Sequence, residues 1–437
     1  MELSLFLLLL AAAWASPNWQ ERTSASQCSW DPQEAVLECQ LKPSFSDSGA
    51  DEDTVKLVLA RHQTQATLKL RILCQDMPAR QPQKLQVDYE GSSLSLASNP
   101  WPHLQSLHVE NCPLASIGVV VLDGLSYEKK QHSDDVLQDV IQPLLGGRTL
   151  SGLRHLSLVN VSQELSSSLW CEIVSSNLIS LNLSSNGLDR LPRWLPGSAC
   201  SSQESGISGS SGGGHLEVLN LSNNAISRLV DDDQWFQLAS TSLTHLDVSR
   251  NRLQAISLGK MQRLVVVDVS DNKLSSAQDL MEAVEASSST LQELHAQGNQ
   301  MERLPNLFSA QSSINVHFHS LLLLNLSRNA LQDPQDPLEG LLGFKPLVAL
   351  DLSHNKLTRV DDHLFSDLVH LQVLSLAHNQ IVRIAPQSLE KLTRIHVLVF
   401  SHNNIDEKGL GNQPRFQHMS DLRTLSLDHN RLKTIPR

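Results

Sequence analysis

The sequence predicts an α/β solenoid: a horseshoe of thin stacked layers, with a parallel β-sheet on the concave face and short helical or irregular segments on the convex face. Three observations predict it. Apolar residues make up 40% of the 437-residue chain but aromatic residues only 4%, so any core is aliphatic. The pattern Leu-x-x-Leu-x-Leu-x-x-Asn-x-Leu, with aliphatic substitutions, recurs along most of the chain. The chain is also too long for one ordinary globular core, whereas layers that contact only their neighbours have no such limit.

Taken in order, the chain opens on an almost unbroken apolar run, Leu3 to Ala13, followed by a small-x-small motif at Ala13-Trp14-Ala15. Residues 1–15 therefore read as a signal peptide, although Glu2 makes the leading segment atypical. The run falls short of the roughly 20 apolar residues that span a bilayer. Residues 16–103 hold no clear repeat but carry Cys28-Ser29-Trp30, Cys39 and the strand-like LKLRILC ending at Cys74. They are expected to form a disulfide-stapled N-terminal cap with irregular first repeats.

The repeats occupy residues 104–437. Loose copies start at Leu104 (LQSLHVENCPL) and Leu153 (LRHLSLVNVSQ), where Cys112 and Val161 stand in place of the Asn. Clear copies start at Leu178, Leu216, Leu243, Leu264, Leu291, Leu321, Leu347, Leu371, Ile395 and Leu422. From Leu216 onward the steps are 21 to 30 residues, close to the period of leucine-rich repeats. Two steps are longer, 49 residues after Leu104 and 38 after Leu178. The second contains the Gly/Ser tract at 201–214 (SSQESGISGSSGGG), expected to protrude as a disordered loop. The chain stops partway through a repeat at Arg437, so the sequence reads as a fragment.

Each consensus position has a physical reason. In Leu-x-Leu both leucines face one side of a short strand, which pairs in parallel with its counterpart about 4.8 Å away in the next layer. The Asn turns the chain out of the strand, and its amide bonds backbone groups that would otherwise be buried unpaired. Asn186, Asn224, Asn251, Asn272, Asn299, Asn329, Asn355, Asn379, Asn403 and Asn430 are therefore expected to form a structural ladder. Leu364, Phe365 and Leu368 are expected to close the outer side of their layer.

Composition and motifs exclude several functions. A formal net charge of −12 argues against nucleic acid as a partner, because phosphate binding needs a basic stripe. No Cys-x-x-Cys, phosphate-cradling glycine loop or paired-carboxylate arrangement points to a metal, cofactor or catalytic centre. Gly209-Ser210-Ser211-Gly212-Gly213 fits the nucleophile-elbow formula, but lies inside the low-complexity tract with no strand or helix beside it. His317-Phe318-His319 aligns two imidazoles and supplies no third ligand. The expectation is a binding surface without a cofactor, not an enzyme.

Four sequons, Asn160, Asn182, Asn220 and Asn325, are glycosylation candidates. The last three sit in Leu-Asn-Leu-Ser and would place sugar on the concave face. Asp247, Arg250, Asp268, Arg328 and Asp351, with His354, His378, His402 and His429, are the candidate concave binding surface for a protein ligand, with alternating charge supplying specificity and orientation. His354, His378, His402 and His429 precede the ladder Asn of four successive repeats. They read first as solvated turn residues and second as a pH-sensitive or metal-binding strip.

Cys28-x-Trp30 with Cys39, the LKLRILC segment and the first repeat WPHLQSLHVENCPLASI together resemble the start of arthropod Toll-receptor ectodomains, most closely the long-ectodomain members. Cys171 in SSLWCEI and Cys200 in PGSAC resemble that family's early outer-layer cysteines. The resemblance implies the ligand-binding part of a cell-surface receptor, activated by dimerisation through a cystine-knot cytokine or serving recognition in development. It implies a receptor homodimer or heterodimer, with membrane association only through sequence beyond Arg437. The competing expectations are an adhesion protein of the chaoptin or connectin type and a secreted decoy. Six cysteines allow 15 connectivities. Cys28–Cys39 ranks first as a small cap loop, then Cys171–Cys200 in adjacent layers, which leaves Cys74–Cys112.

Overall fold

The computed structural model describes residues 26–31, 33–41, 54–59, 69–74, 84–89, 105–111, 153–161, 178–190 and 215–229. It further describes 242–434, apart from 306, 308–316, 336–340, 363, 412–415 and 417. The expected signal peptide, the Gly/Ser tract at 201–214, and Cys112, Cys171 and Cys200 lie outside the described residues.

One sheet of 15 strands runs through the molecule. It starts as an antiparallel hairpin, Ser26–Asp31 against Val36–Leu41, in which Cys28 faces Cys39 and the two form a disulfide. Every later strand joins in parallel, in sequence order. Lys69–Cys74 pairs with Val36–Leu41 on one side and Ser106–Glu110 on the other. Layering therefore begins well before residue 104, because alternating Leu70, Ile72 and Cys74 bury the same face without the consensus Asn. Cys74 is disulfide-bonded as well. A separate parallel pair, Thr54–Leu59 with Lys84–Tyr89, accompanies this region.

From Ser180–Asn182 onward the strands are three residues long, and each places its central residue in one register column. Leu181, Leu219, Leu246, Val267, Leu294, Leu324, Leu350, Leu374 and Leu398 fill that column, none more than 2% exposed. Leu425 holds the same position in Thr424–Ser426 but is 38% exposed, since only one flank is covered. The comparison isolates what stabilises the fold: each layer is buried by the next, at roughly 1.5–3 kcal/mol per aliphatic side chain before chain entropy is subtracted.

The asparagine ladder forms as an interlayer hydrogen-bond chain. Asn379 is typical: its Nδ2 donates to the carbonyls of Leu352, Leu376 and Ala377, and its Oδ1 accepts from Leu357 N in the preceding repeat. On the convex side the helix Ala277–Val284 is N-capped by Ser276, whose side chain accepts from Asp279 N, and it buries Leu280, Met281 and Val284. Elsewhere the convex side is closed by a one-turn helix, Glu407–Leu410, and by two-residue parallel pairs such as Arg359–Val360 with Arg383–Ile384. Leu364, Phe365 and Leu368 are buried there. No helix among the described residues is long and apolar enough to cross a membrane.

Candidate functional site

The residue before each ladder Asn is held in the left-handed region, with φ between 51° and 70° from Asn111 to His429. Geometry demands this, since the chain must leave the strand and turn the next side chain inward within two residues. Asn and Gly adopt this conformation readily, whereas Arg and His do so at a cost of about 1–2 kcal/mol. One such residue per layer gives a continuous row along the C-terminal edge of the sheet. Arg250, Arg328, His354, His378, His402 and His429 all belong to this row. The left-handed turn sets them at the rim of the concave face.

The three candidate aspartates sit differently. Asp247, Asp268 and Asp351 end their strands, and each accepts a hydrogen bond from the backbone N–H two residues on, at Ser249, Ser270 and Ser353. They tie the turn in place through one carboxylate oxygen each. Asn182, Asn220 and Asn325 do the same through Oδ1 with Ser184, Ser222 and Ser327. A glycan on Nδ2 is compatible with that bond. Asn160 belongs instead to the rim row, where its Nδ2 donates to Asn111.

Asp247, Arg250, Asp268 and Arg328 are brought together in one polar groove of about 430 Å³, which crosses six layers from Ser184 to Arg328. At its centre Asp271 is held between two arginines, 3.9 Å from Arg250 and 3.2 Å from Arg328. Arg328 reaches Asp271 across an intervening layer because that layer carries Gly298, where a Cβ would lie 2.1 Å from Asp271 Oδ1. Beside it Gln297 occupies the position that neighbouring layers give to serine. Its Oε1 is buried and has no hydrogen-bond partner among the described residues. Asp351 and the histidines lie outside this groove.

Sequence reasoning passed over Gln297 and Gly298, although QGN departs visibly from the Ser-x-Asn of the flanking repeats. Gly298→Ala is expected to lower stability by about 1–2 kcal/mol through strain at positive φ and to push Asp271 away from Arg328. Chemical denaturation checks it: Gly298→Asn, tolerated in this conformation, should lose less than Gly298→Ala despite the same clash.

The four histidines form a second rim feature. Successive rings stack with centroids 4.1 Å apart and planes within 13° of parallel. Burial between its neighbours, and the charges of His378 and His429, lower the His402 pKa against a smaller opposing effect of Asp428. Hydrogen bonds from Ser426 and His429 bring the Asp428 carboxyl down to about 2.

Two stretches match leucine-rich-repeat family models, residues 345–405 and 239–258. Tubulin-folding cofactor E of Arabidopsis thaliana is 27% identical over 253 residues, covering 56% of this chain and 42% of that protein. Among solved structures, the LRIM1/APL1C complex aligns with 95% of this chain and 61% of its own at 20% identity, with a TM-score of 0.51. The TLR13–ssRNA13 complex aligns with 89% of this chain and 62% of its own at 18% identity, with a TM-score of 0.52. The chain thus spans less than two thirds of each of these relatives. By fold it is a leucine-rich-repeat solenoid.

Proposed function

We propose that this solenoid is the ligand-binding part of a receptor that acts outside the cell or at its surface, and that it grips a protein ligand along the rim groove. One observation carries the reading: Arg250, Asp271 and Arg328 form a charged cluster in an open polar groove. An incoming carboxylate could take either arginine from Asp271, because exposed ion pairs of this kind are worth at most about 1 kcal/mol. The groove's length across six layers suits a protein segment better than a small molecule.

The N-terminal resemblance supports an arthropod Toll-type receptor and a cystine-knot cytokine as ligand, with receptor dimerisation and a role in innate immune or developmental signalling. The test is capture of purified cystine-knot cytokines by the secreted chain, repeated with Arg328→Glu. Binding that weakens about tenfold in the variant supports the groove. Binding unchanged in the variant removes the groove, and no binding across the cytokine panel combined with aggregation of cells displaying the chain favours the adhesion reading.

A further inference from the structure

The histidine row is independent of the groove, and its last two members stand beside a carboxylate. One ligand atom each from His402, Asp428 and His429 lies within 4.8 Å of the others. The backbone beneath them is fixed, since His402 N donates to Asp428 O across the layer boundary at 3.0 Å. Asp428 is fixed too: Ser426 Oγ donates to its Oδ1, and His429 Nδ1 lies 2.8 Å from its Oδ2. The imidazole heads themselves are exposed and can rotate.

We propose that His402, Asp428 and His429 form a binding site for a divalent metal ion of zinc type on the rim of the solenoid. Two imidazoles and one carboxylate are a donor set for zinc or copper, whereas calcium and magnesium require more oxygen ligands. Bonds of 2.0–2.2 Å to a tetrahedral ion set donor atoms roughly 3.3 Å apart. The two rings reach that spacing by opening away from the parallel stack like pages, which aims both nitrogen lone pairs at one point. Water or a partner side chain would complete the coordination.

Position explains why this pair is the site and the rest of the column is not. The residue that precedes each rim histidine is Ser353, Ala377, Ser401 and then Asp428. Only the last brings a carboxylate, so the stacked pairs His354–His378 and His378–His402 offer two nitrogens without an anion.

The experiment is a calorimetric titration of the whole chelator-stripped chain with Zn²⁺ alone, alongside NMR of the imidazole nitrogens. The variants are His402→Asn, His429→Asn and the double variant, with His354→Asn as control. Asparagine already holds the same backbone conformation at Asn160 and Asn223, so the turn is preserved, and circular dichroism verifies the fold. Expected are shifts at His402 and His429 on Zn²⁺ addition, and affinity lower by about tenfold or more in each single variant. His354→Asn should bind as the parent does. Equal Zn²⁺ binding by the double variant, or no binding up to about 100 µM Zn²⁺, overturns the site. Cytokine capture by the groove is unaffected by either result.

Discussion

Asn355→Ala should destabilise its region of the solenoid by roughly 3 kcal/mol, although it removes only an amide group. Asn355 is 6% exposed and bonds on both sides of a layer boundary. Its Nδ2 donates to the carbonyls of Leu326, Leu352 and Ser353 at 3.0, 3.0 and 3.2 Å, and its Oδ1 accepts from Leu331 N at 3.0 Å. Alanine leaves the buried Leu331 N–H unpaired, at about 1–3 kcal/mol, and strips one of two hydrogen bonds from each carbonyl, Leu326 keeping Asn329, Leu352 keeping Asn379 and Ser353 keeping Arg328 N. Asn355→Asp should recover little, because a carboxylate would then face three carbonyl oxygens. Hydrogen exchange gives the decisive reading. Amides around Leu331 and Leu350 should lose protection while those around Leu219 keep theirs, since repeat layers couple mainly to their neighbours. A uniform loss of protection along the whole chain would contradict this account.

Phe365→Ala should cost more, about 3–5 kcal/mol. Phe365 is fully buried on the convex side beside buried Leu364 and Leu368, and the short turns around it are poorly placed to collapse into the space it vacates. The defect lies in the middle of the regular layers, so it should divide the array. Thermal unfolding would then change from one transition to two, and a single melting temperature would cease to describe the protein. Phe365→Leu retains most of the volume and should keep a single transition.

These two positions were legible in the sequence because each obeys a rule contained in its own repeat. An Asn after Leu-x-Leu-x-x, or an apolar cluster before the next Leu, carries its structural role wherever it occurs. The same holds for Leu181 or Leu350: alternation alone puts them on the inward face. The aspartates show the limit of this reading. Asp247, Asp268 and Asp351 were marked for their charge, yet the Asp-x-Ser spacing could have shown that one oxygen is committed to the turn.

The groove and the metal-site geometry were not legible in this way. Asp271 and Arg328 are 57 residues apart, and they meet only because the layer between them carries Gly298. Predicting that contact means counting layers across repeats of unequal length and knowing that the rim residues are left-handed. Face-to-face stacking of the histidines adds a rotamer choice that no sequence pattern specifies.

By itself, then, the sequence determined the class of fold, the aliphatic core column and the asparagine ladder, because short-range periodicity dictates which side chains face inward. The tertiary structure alone decided that Arg250, Asp271 and Arg328 share a groove, and that His402 stands beside Asp428 and His429 at the rim. The physical reason is that those contacts run perpendicular to the chain. They depend on how one layer stacks on the next, over a spacing of about 4.8 Å that linear separation does not reveal.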